Sequence, residues 1–177
     1  MNFREWALPV YTIMVQMATG ALLTLWILRA IGKLKVGAEE VDRIVARPVA
    51  AILLTIVGAL MGSHLHLSRP FLSFLALGNL GSSWLSREVL FTTILFVSVA
   101  GLTFMEWYVP GHERLKTGLG WFAIASGAVS IFCMAAIYLL PIQPAWNTPF
   151  TVISFYATAL LLGILETAVL LILDLRF

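Results

Sequence analysis

Two residues stand out for chemistry: His66 and Glu88, at the two ends of the connection SRPFLSFLALGNLGSSWLSRE, which runs from Ser68 to Glu88. An imidazole titrates near neutrality and can take up and release a proton under ordinary conditions. A carboxylate beside it can orient the ring or pass the proton on. Together they suit the oxidation of a quinol, an apolar, membrane-dissolved carrier whose headgroup needs hydrogen-bond partners near the membrane surface. Gly58, Gly62 and His66 recur four apart and share one helix face. A Gly-x-x-x-Gly pair lets another helix approach closely, so this spacing directs the imidazole into a crevice between helices. His64, two residues away, falls near the opposite face. Each residue also has a plainer reading. A carboxylate in a first helical turn is favoured by the helix dipole, so Glu88 alternatively only starts a helix, and His66 alternatively is a satisfied structural histidine.

Further polar residues interrupt apolar runs. Thr12, Gln16 and Gly20 recur four apart, with Thr19 beside them. A buried glutamine must find hydrogen-bond partners or cost about 2 kcal/mol or more; for Gln16 taken alone, a helix-packing contact is the favoured reading. Glu166 falls inside an apolar run, where an ionisable side chain is a functional candidate by default. It is expected to join a polar cluster on the inner side. The one cysteine, Cys133, excludes an internal disulfide and cannot by itself hold an iron–sulfur cluster or a structural zinc.

The elements that must position these residues are membrane helices. Of the 177 residues, 60% are hydrophobic and only 11% are charged, whereas a soluble domain carries about 25% charge. A soluble globular domain is excluded, and a net charge of +2 gives no case for nucleic acid. A bilayer core about 30 Å thick needs roughly 20 apolar residues per helix. Five runs qualify, at residues 6–28, 48–67, 89–107, 119–140 and 150–173. The runs are continuous rather than alternating, which predicts helices and not strands. The expectation is therefore an all-α integral membrane protein, a single bundle of about five transmembrane helices in the cell membrane. Trp6, Trp107, Tyr108, Trp121 and Trp146 lie near the span ends, where aromatic belts form.

The basic residues set the orientation. Arg29, Lys33, Lys35, Arg43, Arg47, Arg114, Lys116 and Arg176 lie on one side; Arg4, Arg69 and Arg87 lie on the other. By the positive-inside rule the first side is cytoplasmic, and the N-terminus and the Ser68–Glu88 connection face outside. That connection carries no charge from Pro70 to Ser86 and holds Phe71, Leu72, Phe74, Leu75, Leu77, Trp84 and Leu85. It is too apolar for disorder and is expected along the membrane surface or under a partner subunit. The sequence shows no internal repeat, and with no basic leader and a first apolar run too long for a cleavable signal peptide, that run is expected to be a span.

The stretch HLHLSRPFLSFLALGNLGSSWLSRE resembles the membrane-anchor subunit of dimethyl sulfoxide reductase, the DmsC-like family. The shared features are a His-Leu-x-x-Pro turn and a Gly-x-Ser-x-Leu-Ser-x-Glu segment before the third helix. The Gln16–Gly20 region and the PAWNTP segment before the fifth span extend the resemblance along the sequence. It implies a subunit that binds and oxidises menaquinol near the outer face. Electrons would pass to a partner carrying four iron–sulfur clusters, and then to a catalytic partner with a molybdenum bis-pterin cofactor. The chain itself would carry no haem and no metal. On the family pattern His66 is the histidine of the quinol site and Glu88 its carboxylate, with Gln16 and Arg69 as nearby quinol-binding candidates. Family members usually have about eight spans, and this chain has five.

Three other readings compete. A polysulfide reductase-type anchor would use similar partners, but its motifs match the loop less well. A membrane cytochrome b needs histidines on both faces of a haem, and His64 and His66 lie two apart on one helix. A transporter or purely structural subunit is the third; transporter folds often show repeats.

Overall fold

The structure, a computed structural model, describes residues 3–35, 38–66 and 77–174, with the side chains at 3–5, 33–34, 38–40, 65–66 and 174 outside the description. Among the described residues five helices follow one another: α1 (Phe3–Lys35), α2 (Ala38–His66), α3 (Trp84–Tyr108), α4 (Glu113–Tyr138) and α5 (Pro149–Asp174). All five are long and apolar enough to cross a membrane. The helices exceed the apolar runs, because helix geometry continues through charged flanking turns where water satisfies the side chains. Thus α2 begins ten residues before Pro48 and carries that proline within it. In the same way α3 begins at Trp84, ahead of the run that opens at Val89.

The bundle is organised around α1, which packs against α2, α4 and α5, while α3 packs on α4 and α2. Its core is a stack of buried side chains that includes Leu22, Leu25, Trp26, Ile52, Ile56, Leu95, Val99 and Leu102. In lipid there is no hydrophobic drive between helices, so close backbone approach and polar contacts decide the packing. Small residues supply the approach at α1–α5. A Cβ on Gly20 would run into the Ala159 carbonyl, and one on Gly163 would meet the backbone of Gly20 and Ala21. On α4, Gly120 leaves room for the Trp26 indole, whose Nε1 donates to the Thr117 carbonyl at 3.1 Å. Trp6, Trp107, Tyr108, Trp121 and Trp146 are exposed, as an aromatic belt requires.

Candidate functional site

The end of the bundle that the basic residues assign to the outside holds the site. Its most restrained element is the start of α3. Ser83 caps the helix in an extended conformation, its Oγ accepting from the Ser86 amide at 3.3 Å. Arg87 then folds back over the preceding turn. Its Nε donates to the Leu80 carbonyl at 2.8 Å, one Nη donates to the Gly81 carbonyl at 2.7 Å, and its guanidinium lies 4.3 Å from the Trp84 ring centre. These contacts fix where α3 begins, and with it the place of Glu88.

Glu88 is the fifth residue of α3, and there is no acidic residue in the first turn. The reading of Glu88 as a helix-start carboxylate is therefore corrected: it stands in the second turn, turned inward and buried. Along α3 the stripe Glu88, Thr92, Leu95, Val99, Leu102 repeats at intervals of four and three, all of it buried. Glu88 faces the hydroxyl of Tyr11 of α1. Tyr11 Oη also lies 3.1 Å from Thr92 Oγ1, and Thr92 Oγ1 lies 2.7 Å from Ser130 Oγ on α4. Three helices thus converge on one carboxyl through a series of hydroxyls. Each hydroxyl is both donor and acceptor, so the series can hold the carboxyl in place and redistribute a proton within itself.

The sequence pattern does not single out Tyr11, Thr92 or Ser130. The available signal was the interval of four from Glu88 to Thr92; the other two come from different helices and become neighbours only through packing.

The α2 face opposite this cluster behaves as its spacing predicts. Gly58 and Gly62 both lie against α1: a Cβ at Gly58 would stand 2.8 Å from Met14 Cε, and one at Gly62 would stand 3.6 Å from the Ala7 carbonyl. His66 continues the same register and is the last residue of α2, but its side chain lies outside the described residues. So do Arg69 and residues 67–76 of the connection. His64 is exposed, with Nδ1 2.7 Å from the carbonyl of Leu60 in its own helix.

Gln16 is not joined to Glu88 by any hydrogen bond among the described residues. It is buried on the side of α1 that faces α5 and borders a separate recess with Thr12. Glu166 is also placed differently from expectation. Thr55 of α2 donates to its Oε1 at 2.7 Å, and its Oε2 is buried with no partner among the described residues. It does not join the inner polar cluster, because its helix presents it to the middle of α2. That inner cluster is an ion network on four helices. Arg29 bonds Asp42 and Glu106, each at 2.6 Å, and Glu113 at 3.1 Å, while Lys116 bonds Glu106 at 3.1 Å.

Five membrane-length helices, with a buried carboxyl under one end and an ion network under the other, define a multi-pass integral membrane protein. The description "DMSO reductase anchor subunit (DmsC)" belongs to the family model that matches residues 1–176, and the protein is a member of that family. It is 29% identical over 174 residues to the YnfH subunit of anaerobic dimethyl sulfoxide reductase from Escherichia coli, covering 96% of this sequence and 58% of that protein. It is 28% identical over 179 residues to the C subunit of anaerobic dimethyl sulfoxide reductase from Haemophilus influenzae, covering 97% and 61% respectively. The corresponding C subunit from Escherichia coli is 27% identical over 167 residues, with 92% and 56% covered. The chain therefore spans about three-fifths of the length of these curated relatives. No solved structure matches it.

Proposed function

We propose that this chain is the quinol-oxidising membrane anchor of a dimethyl sulfoxide reductase-type complex. Its substrate is menaquinol, met near the outer face. Oxidation of one quinol to the quinone releases two protons and two electrons. The electrons pass to a partner subunit with four iron–sulfur clusters and on to a partner with a molybdenum bis-pterin cofactor. The protons need acceptors in this subunit, and Glu88 and His66 take that role.

One observation carries the reading. Glu88 is a buried carboxyl at the outer end of the bundle, beside the Tyr11 hydroxyl of α1, which is linked in turn to Thr92 of α3 and Ser130 of α4, and no cation bonds it among the described residues. An ion pair would make such a carboxyl a structural tie. A carboxyl free of a cation and set beside a hydroxyl can instead take a proton from a ring hydroxyl. Tyr11 orients the carboxyl, and His66 is the last residue of α2.

The test is quinol-dependent turnover in the assembled complex. Loss of a well-placed general base typically costs about 10²–10⁴ in rate. Glu88→Gln and His66→Ala should lose quinol-driven reduction by about that factor, while a soluble electron donor still drives the catalytic partner. Tyr11→Phe keeps the ring but removes the hydroxyl and should fall in between. His64→Ala should be close to wild type. Near-normal quinol turnover in both Glu88→Gln and His66→Ala would place the site elsewhere.

A further inference from the structure

A second recess lies between the outer halves of α1 and α5, closed at one end by Tyr138, the last residue of α4. Its volume is about 400 Å³, inside the range of roughly 300–1,000 Å³ usual for small-molecule sites. Pro9 and Ile13 of α1 and Phe155 of α5 form apolar walls. The rings of Tyr138 and Phe155 stand 5.7 Å apart and offer aromatic surface to a flat guest. The polar lining is uncharged. Thr12, Ser154 and Thr158 already donate to carbonyls of their own helices, at 3.0, 2.8 and 2.8 Å. They therefore present only lone pairs to the recess.

Gln16 is the exception. It is 3% exposed and borders the recess, and its amide has no hydrogen bond among the described residues. The amide is open to the recess, so a guest that supplies both an acceptor and a donor can bond it. A phosphate headgroup would meet no counter-charge here. An uncharged ring bearing carbonyl or hydroxyl oxygens would satisfy the amide and stack on the aromatic wall. Ile13 and Ser154 are exposed, so such a ring enters sideways from the bilayer.

We infer that the Gln16 recess is a second binding place for a neutral ring of the quinone class, separate from the Glu88 cluster. Gln16 follows Tyr11 by five residues, which puts it about 140° around α1: Tyr11 turns toward α3, Gln16 toward α5. The choice of a quinone among neutral rings rests on the proposed function; the recess and its unpaired amide do not.

Photolabelling the full-length protein in nanodiscs with an azido-naphthoquinone tests it. Label should appear on Tyr138 and on α5 between Ser154 and Thr158. It should be displaced by excess naphthoquinone, persist in Glu88→Gln, and fall about tenfold in Gln16→Leu through the loss of two hydrogen bonds. Competition on the unmodified protein decides the matter even if Gln16→Leu does not insert. Label confined to α3 around Glu88 removes the recess and leaves the proposed function standing. Label on α5 that excess naphthoquinone does not displace also overturns the recess, as the mark of unspecific contact with lipid-borne probe. Label at neither place overturns both readings.

Discussion

The inner ion network sets the stability of the bundle, and Arg29→Met measures it. The Arg29 and Glu106 side chains are 2% and 1% exposed, against 19% for Asp42 and 36% for Glu113. Water screens the last two, so their contacts are worth about 0–1 kcal/mol each. The Arg29–Glu106 pair is different. Removing one partner of a buried pair typically costs about 3–5 kcal/mol, because the other charge is left uncompensated. Lys116 still reaches Glu106 at 3.1 Å, which places the expected loss near the lower end, at about 3 kcal/mol. Arg29→Lys keeps the charge but cannot span three carboxylates with one fork, and should lose less. The assay is reversible unfolding in mixed micelles titrated with a denaturing detergent. A double-mutant cycle with Glu106→Gln should show strong non-additivity, since the double variant no longer buries the orphaned carboxylate. Stability of Arg29→Met within about 1 kcal/mol of wild type, the range of a screened surface pair, would refute the reasoning, as would simple additivity in the cycle.

Two further outcomes follow from the packing. Gly163→Leu forces a side chain into the Gly20 backbone and should separate α1 from α5; recovery of the variant with wild-type resistance to detergent unfolding would show that this crossing is not tight. Glu166→Gln keeps an acceptor for the Thr55 hydroxyl and should leave quinol-dependent turnover largely intact, whereas a collapse of turnover with normal assembly would reveal a proton route through the middle of the membrane.

Much of this architecture is legible in the sequence because the bilayer imposes a single length and a single chemistry on every element. Five apolar runs became five helices, and the Gly58–Gly62 interval became a close contact with α1. What the apolar runs could not give was where each helix starts. The onset of α3 depends on Ser83, Trp84 and Arg87, which make their contacts in the turn before the apolar run, and the shift to Trp84 moved Glu88 from the helix mouth into the interior. Partner choice was hidden for a related reason. Gln16 and Tyr11 lie on the same helix only five residues apart, and periodicity alone does not say that one faces α5 and the other α3. Glu166 shows the same limit: its place inside a span was readable, its depth and its partner on α2 were not.

The two polar ends are built on different principles, and the difference bears on where protons can go. Inside, full charges neutralise one another and tie α1, α2, α3 and α4 together. At the other end, one carboxyl stands at the head of a series of hydroxyls. The stretch of α3 between Thr92 and Glu106 is about 21 Å long at 1.5 Å per residue. Its buried residues are Leu95, Ser98, Val99 and Leu102, and the one hydroxyl among them, that of Ser98, makes no hydrogen bond among the described residues. Nearby hydroxyls do not bridge the gap: Ser126 donates to the Ala123 carbonyl of its own helix at 2.8 Å, and Thr19 Oγ1 has no partner among the described residues. The hydrogen-bonded series that starts at Tyr11 stops at Ser130. A proton taken by Glu88 therefore has no hydrogen-bonded way to the inner ion network among the described residues. On the proposed function, quinol oxidation at this end delivers its protons to the side on which the quinol is bound.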